Sequence, residues 1–445
     1  MKVSHFKVIV PTETEGEYLL TNTMSGAIIG IDEEIKSAIQ KDDTGCLDPE
    51  IVGILTGLGI LIPDHVDEYR KFKVQYERRK YMVDSPAFTV LTTYACNLAC
   101  PYCYEGRGEL LHGTMDSKTR EREVAFMKKT LEKTGAKNFS IGLYGGEPLL
   151  NFDESLSLLT AICGWAEDRN IQYKSFVVTN GTLVTPEIAE KLHTYRAAAI
   201  QLTLDGPKRL HDKKRVYKKG GGTFDDVIRA AHILHDHDVH VILRINTDTE
   251  NQSFLGELLD ELLEQDLTDV SLRCGIVSES MTCRNYSYCV HEKDTRKTLA
   301  EFQRIVNNKG YVFHLTQRFE PSHVFCGFLG EGTYVLDPHA DVYKCMIFVG
   351  LKEHSIGHIT KDGEIEYTSA YYDWMSRDPL TIEECSQCVM LPSCGGGCAA
   401  IAHMKYNTYH ACGCYDPLSE MKDQLKWYLE EKIPQHFKEG KIIWQ

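Results

Sequence analysis

The stretch CNLACPYCYEG, residues 96–106, places three cysteines at intervals of four and three directly after an apolar run, AFTVLTT. Thiolates are the usual ligands of iron–sulfur clusters, and so compact a run can reach several irons of one cubane. Three cysteines with no fourth nearby leave one iron free for another ligand. A structural zinc site would normally be closed by four protein ligands. Zinc or inert thiols are the alternatives that the spacing alone leaves open.

The surroundings of the triplet indicate its place in a fold. Strand-like runs recur at AFTVLTT, FSIGLYGG, SFVVTNG, AIQLTLDG, HVILRINT and VSLRCGIV, separated by helical stretches such as REREVAFMKKTLEK and SFLGELLDELLEQ. This alternation predicts an α/β fold, a partial (β/α)6 TIM-like barrel over residues 86–315. Active sites of such barrels lie at the C-terminal strand ends. The cysteine triplet follows the first strand, and Gly145-Gly146, Asn180-Gly181 and Asp205-Gly206 fall at other strand ends.

Residues 1–82 form a separate pattern. FKVIV, EYLLTNT and GAIIGI are strand-like, and Asp48-Pro49 marks a helix start. A further helix is expected from about Asp64, with Val66, Tyr69, Phe72 and Tyr76 on one face. These elements predict a small winged-helix-like α+β module whose strand edge could accept a peptide. Its basic stretch YRKFKVQYERRK reads as a solvated helix face.

The whole chain has 445 residues, a formal charge of −15, and 42% hydrophobic and 25% charged residues. That composition supports a real core. The acidic balance disfavours a nucleic-acid binder. No run reaches the ~20 apolar residues of a membrane span, and the start lacks a signal-peptide core. A cytoplasmic, non-membrane protein is expected. Sixteen cysteines in such a chain point to metal or redox chemistry. Cys46, Cys163, Cys274, Cys283 and Cys289 are scattered, and small buried or inert thiols are their default reading.

CX3CX2C after a first barrel strand, with Tyr102 before the last cysteine, resembles the radical S-adenosylmethionine (SAM) superfamily. GGEP at residues 145–148 resembles that superfamily's motif for the methionine amino group, and LTLDGPKRLHDKKRVYKKGGGTF resembles the fourth-strand region of its peptide-modifying branch. The resemblance implies a [4Fe–4S] cluster on Cys96, Cys100 and Cys103 whose open iron binds SAM. Reductive cleavage of SAM would then release a 5′-deoxyadenosyl radical that takes a hydrogen from substrate. It also implies SAM contacts at Tyr102, Gly145, Gly146, Glu147, Thr203, Arg215 and Ile276, with Arg215 as carboxylate partner. Barrel packing is the competing reading for Thr203 and Ile276, and a surface salt bridge for Arg215.

Residues 316–445 are rich in cysteine and glycine and end in the helical pattern PLSEMKDQLKWYLEEK. Cys385-x2-Cys388-x5-Cys394-x3-Cys398, preceded by Cys326 and Cys345 and followed by Cys412 and Cys414, resembles the SPASM extension of radical SAM proteins. Ala340 stands where the family usually has glycine. The resemblance implies two auxiliary [4Fe–4S] clusters, hence three in all. The first would take Cys326, Cys345 and Cys398. The second would take Cys385, Cys388, Cys394 and either Cys412 or Cys414. The first then lacks a fourth ligand. Cys283, Cys289 or His323 would complete it, or a substrate thiolate would bind the open iron.

Recognition module, barrel and SPASM extension together resemble the sactipeptide and ranthipeptide maturases. Expected partners are a precursor peptide, its leader held by residues 1–82, and a flavodoxin- or ferredoxin-type electron donor. The expected reaction is formation of cysteine sulfur-to-carbon thioether links. The alternatives are carbon–carbon cross-linking, epimerisation, and formylglycine generation in a sulfatase. Against the last, Met346 follows Cys345 where those enzymes carry aspartate. A non-catalytic electron carrier would leave GGEP and the incomplete triplet without a purpose.

Overall fold

The computed structural model describes residues 1–105, 111–278, 286–291, 294–313, 321–414, 416–419, 421–423 and 425. The chain forms two compact units: residues 1–82 with 316–330 and 376–445, and residues 83–315 with 331–375.

In the first unit β1 (Lys2–Val3) pairs with β5 (Leu61–Ile62), and β2 (Lys7–Pro11), β3 (Glu17–Asn22) and β4 (Ile28–Asp32) form an antiparallel sheet in that order. Three helices follow the sheet: Glu33–Lys41, Pro49–Gly57 and Glu68–Tyr81. Each is started by an aspartate. Asp32 accepts from the Ile35 amide, Asp48 from Glu50 and Asp67 from Arg70, satisfying donors that a helix N-terminus leaves unpaired. The third helix thus begins after Asp67, slightly later than periodicity from Asp64 suggests.

Both faces of the three-stranded sheet are covered. Leu20, Ile29 and Ile31 pack with Ile39 and Leu55 from the helices. On the opposite face Val8, Val10 and Leu19 pack with Met390, Cys394 and Met421 from the cysteine-rich segment. Phe6, Phe72 and Tyr76 likewise share a core with Val324, Ile382 and Leu391. A sheet buried on both sides needs apolar residues at successive positions, which is why β2 reads Val-Ile-Val. The basic helix face is mostly exposed. Lys80 is the exception: it is buried, and its ammonium donates to the Arg377 carbonyl at 2.7 Å.

The second unit is built on one sheet of eleven strands. β6 (Ala87–Leu91), β7 (Asn138–Tyr144), β8 (Gln172–Val178), β9 (Ala197–Leu204), β10 (Val241–Thr247) and β11 (Ser271–Ile276) run parallel and in sequence order, with helices between them. This is the α/β architecture expected of a partial barrel. β12 (Val312–Phe313) extends one edge. β13 (Thr333–Leu336) joins parallel to β6, and β14 (Asp341–Tyr343), β15 (Gly357–Ile359) and β16 (Ile365–Tyr367) continue antiparallel. The sequence shows no regular period there because strands of three or four residues are too short to display alternation. Most of the final helical pattern lies outside the described residues. Among the described residues, no helix is long and apolar enough to cross a membrane.

Phe88, Ile141, Leu143, Leu202, Leu243, Ile245 and Leu272 belong to the core beneath the helices. Side chains alternate along a strand, so Thr89, Tyr144, Thr203, Arg244, Asn246 and Arg273 belong to the other, inner face.

The helix Ser117–Thr134 carries an anomaly at Glu123. Its carboxyl is fully buried with neither oxygen hydrogen-bonded. Burial, and then the neighbouring Asp337, hold its pKa well above the usual carboxylate range. A raised folded-state pKa makes the contribution to stability greatest below the unfolded value and lowers it as pH rises towards the folded one. Glu123→Leu should therefore raise the melting temperature, and by more at pH 8 than at pH 5, as thermal denaturation at the two pH values would show.

Candidate active site

The loop Cys96–Cys103 leaves the C-terminal end of β6 and is fastened from the side. The Ala99 amide donates to the Val216 carbonyl at 2.8 Å and the Lys218 amide to the Asn97 carbonyl at 3.0 Å. Leu98, Cys100 and Tyr102 pack with Val277, Tyr286 and Cys289, with Cys96 and Cys103 against them. Burial pushes the Cys96 thiol up to about 11 and the Cys100 thiol up to about 12. Bare thiols of this kind keep their protons at neutral pH, so iron binding must release them. Among the described residues no three acidic, histidine or cysteine side chains converge on a single metal ion. A cubane differs in its demand, since each thiolate reaches a separate corner iron.

GGEP forms the turn after β7. The Gly146 amide donates to the Thr93 carbonyl and the Glu147 amide to the Ala95 carbonyl, so this turn lies against the cysteine loop. Contact is close enough to require glycine. A Cβ on Gly145 would lie 2.3 Å from the Thr93 oxygen, and one on Gly146 2.3 Å from that of Ala95. Glu147, fully buried, faces the next strand's loop. Its carboxylate accepts from the Thr179 hydroxyl, the Asn180 amide and the Leu149 amide at 2.8–3.0 Å. Asn180 in turn donates to Asn97 at 2.8 Å and lies 3.8 Å from the Cys96 sulfur. Glu147 thus braces two strand ends around the cysteine loop.

Tyr102 occupies the centre of a second network. Its hydroxyl donates to Asp205, beyond the end of β9, and accepts from Arg215 at 2.9 Å and from Asn246 of β10 at 3.2 Å. Arg215 Nε and Asp205 Oδ1 are buried without a hydrogen-bond partner. Burial raises the Asp205 carboxyl, opposed chiefly by Arg215. A buried guanidinium with a spare donor and a buried carboxylate with a spare acceptor suit an amino-acid-bearing cofactor such as SAM. Thr203 is buried near the end of β9 and Ile276 is half-buried at the end of β11.

Removing the Tyr102 hydroxyl would leave the buried Asp205 and Arg215 and the half-buried Asn246 short of a partner. Tyr102→Phe should weaken SAM binding about tenfold, equivalent to ~1.4 kcal/mol. Equilibrium dialysis with the anaerobically reconstituted protein tests this.

The C-terminal cysteines of the first unit fall into two groups. Cys326 and Cys398 lie within electrostatic range of one another, and burial pushes Cys326 up to about 11. The Cys385 and Cys412 sulfurs are 3.6 Å apart, Cys412 is hydrogen-bonded to Cys414, and Cys414 acts electrostatically on Cys388. Cys394 shares its core with Cys388. Gly413 permits this gathering, since a Cβ there would meet the Cys398 carbonyl at 2.0 Å. Both cysteines of the Cys-Gly-Cys sequence therefore stand beside Cys385 and Cys388. Arg377 lies among them, its guanidinium donating to the carbonyls of Gly396 at 2.5 Å, Ala411 at 2.9 Å and Tyr409. Cys345 belongs to the second unit, just after β14.

Of the residues considered as a further ligand, His323 is stacked on Phe72 with Nε2 3.0 Å from Gln75 Oε1. Cys289 packs at the barrel loop, and Cys283 lies outside the described residues.

The parallel βα barrel thus carries a three-cysteine loop after its first strand and a glycine-backed turn after its second. Residues 90–262 match the sequence profile of the radical SAM superfamily, and the protein carries that superfamily's domain. The superfamily implies a [4Fe–4S] cluster and SAM as cofactors, which the thiols, Arg215 and the GGEP turn fit. Among curated relatives, the radical SAM cyclopropyl synthase TigE of Paramaledivibacter caminithermalis is 24% identical over 80% of this chain and 78% of its own. The serine-type anaerobic sulfatase-maturating enzyme of Klebsiella aerogenes is 24% identical over 72% and 81%. Among solved structures, Streptococcus suis SuiB bound to precursor peptide SuiA covers 93% of this chain and 99% of its own, at 16% identity and a TM-score of 0.54. That likeness concerns the fold.

Asn246 and Arg377 escaped the sequence reading, which placed Asn180 and Asp205 at strand ends without giving them a role in the site. Asn246 carried a signal: with Arg244 it is polar at alternate, inner positions of the strand VILRINT.

Proposed function

We propose that the protein modifies a ribosomally made precursor peptide, using a 5′-deoxyadenosyl radical to form thioether links from cysteine sulfur to carbon. When bound, the cluster and SAM supply the hydrogen-abstracting radical. The chain's own residues hold the cysteine loop through Glu147 and Asn180, hold Tyr102 through Asp205 and Asn246, and present Arg215 for a carboxylate.

The observation that supports thioether formation concerns the fourth ligand of the first auxiliary cluster. His323 is committed to Gln75 and Phe72, and Cys289 to the barrel loop. His323, in the same unit as Cys326 and Cys398, is thus engaged by other side chains, which favours an iron left for a substrate thiolate. The second auxiliary cluster would use Cys385, Cys388 and Cys394 with Cys412 or Cys414. The sheet of residues 1–82 leaves one edge each of β2 and β4 unpaired within that sheet, and a leader peptide could extend either as an added strand. A flavodoxin- or ferredoxin-type donor would supply the electron.

The test is a mass spectrum of a cysteine-bearing peptide encoded beside this gene, after anaerobic incubation with reconstituted protein, SAM and reductant. Loss of a hydrogen pair with disappearance of one free thiol per event is expected. Hydrogen loss with all thiols retained would replace thioether formation by a carbon–carbon link. Exchange of sulfur for oxygen would establish formylglycine formation instead.

A further inference from the structure

Two arginines stand side by side on the inner face of the barrel, and neither has a counter-charge among the described residues. Arg244 of β10 and Arg273 of β11 are in-register partners on adjacent parallel strands. Paired strands lie roughly 4.8 Å apart, and like charges placed opposite one another are destabilising. Among the described residues Arg244 makes one hydrogen bond, from Nε to Asn246 Oδ1 at 2.9 Å. Arg273 is exposed on this inner face, its pKa lowered by burial and then by Arg244.

The surroundings accommodate the pair midway along the two strands. Arg244 lies over Gly275, where a Cβ would come within 2.5 Å of Nε, so the absence of a side chain there makes room for the guanidinium. Asn246 links Arg244 onward to Tyr102, donating to its hydroxyl at 3.2 Å. Arg244 is therefore two hydrogen bonds from the cysteine-loop tyrosine, and Arg273 is its in-register neighbour. The electrostatic influence of Arg244 also reaches Tyr144 at the end of β7. Tyr144 is hydrogen-bonded to Tyr104, the residue after Cys103.

Uncompensated cations on neighbouring strands raise the energy of the empty barrel, and an anion between them would remove that penalty. Two guanidinium forks present several donors to one carboxylate. Arg215 is buried against Tyr102 as a separate group, available to the cofactor's own carboxylate. We propose that Arg244 and Arg273 form a subsite for a carboxylate of the peptide substrate, from an aspartate or glutamate side chain or a free C-terminus. The subsite selects an acidic group for placement beside the reacting atoms. This rests on the peptide-modifying reading, but its test requires no chemistry.

Short fluorescein-labelled Gly/Ser peptides, each with one cysteine and one test residue, would be titrated by anisotropy into the full-length, anaerobically reconstituted protein with SAM and no reductant. Amidated peptides carrying aspartate or glutamate should bind at least about tenfold more tightly than their asparagine or glutamine counterparts. The difference should fall below about twofold in Arg273→Gln and Arg244→Gln, with SAM binding retained. If a free C-terminus restores tight binding to the asparagine peptide, the subsite accepts that source of carboxylate. Melting temperatures of the ligand-free variants should be no lower than wild type, because each removes one repelling charge; a structural role would lower them.

Equal or absent binding of acidic and amide peptides would overturn the proposal. So would a tenfold loss of SAM binding in Arg273→Gln, which would assign the arginines to the cofactor. Adding reductant separates the two readings. Carboxylate-dependent binding without peptide modification would sink the maturase reading alone, and modification without carboxylate dependence would sink the subsite alone.

Discussion

Glu147→Ala protein should cleave SAM at least about a hundredfold more slowly, a barrier increase of ~2.7 kcal/mol, and should reconstitute with less iron. The carboxylate is fully buried and accepts three hydrogen bonds, two of them from the loop after β8. Alanine leaves the Asn180 amide and the Thr179 hydroxyl without this acceptor in a dry interior, each costing about 1–3 kcal/mol. Asn180 is then free to shift, and it is the residue that steadies Asn97 and approaches the Cys96 sulfur. Glu147→Gln should retain part of the activity, because its amide oxygen still accepts while its NH2 opposes one donor. Release of 5′-deoxyadenosine under reductant, together with iron content and the paramagnetic resonance of the reduced cluster, measures the effect. Unchanged cleavage in Glu147→Ala would mean that the motif acts through its glycines alone.

That prediction illustrates what the sequence does and does not disclose. The cysteine triplet, the glycine pair and the strand periodicity are local patterns, and the six parallel strands lie where alternation placed them. The bracing by Glu147 is not local. Its partners Thr179 and Asn180 lie more than thirty residues away, and only sheet pairing brings the two strand ends together. Tyr102 is similar. Its likeness to a family position suggested contact with SAM, whereas its hydroxyl is engaged by Asp205, Arg215 and Asn246, from three further parts of the chain.

The C-terminal segment was hidden for a different reason. Strands β13 to β16 have two to four residues in register with each neighbour, and such runs acquire their identity from the sheet they extend. Val324, Ile382, Met390, Leu391 and Met421 share cores with residues 1–82. No sequence period connects Phe72 with Leu391; the contact follows from two apolar surfaces having no other cover. The arginine pair was legible in part, because VILRINT and VSLRCGIV each place arginine at an alternate position between buried residues. What strand periodicity could not supply was the register that sets Arg244 opposite Arg273.

Arg377→Met should destabilise the first unit by about 3–5 kcal/mol, because three backbone carbonyls lose a donor at about 1–3 kcal/mol each. Arg377 is among the largest fully buried side chains, and its guanidinium serves the carbonyls of Gly396, Tyr409 and Ala411. Methionine fills similar space but donates nothing, so those carbonyls lose their partner. The backbone ties of residue 377 are spared, since its own carbonyl would still accept from Tyr76 and Lys80 at 2.7 Å. The variant therefore isolates the side chain. It also removes a positive charge that interacts electrostatically with Cys385, Cys398 and Cys412; iron-bound thiolates would lose that compensation. Iron loss should accordingly come from the C-terminal cysteines, with the cluster on Cys96, Cys100 and Cys103 retained and SAM still bound. Arg377→Lys should fall between, restoring the charge without the planar fork that reaches three carbonyls. Iron analysis, SAM binding and thermal denaturation of the three proteins distinguish these roles. A Met variant with full iron and an unchanged melting temperature would show that the carbonyls find other donors and that the charge is dispensable.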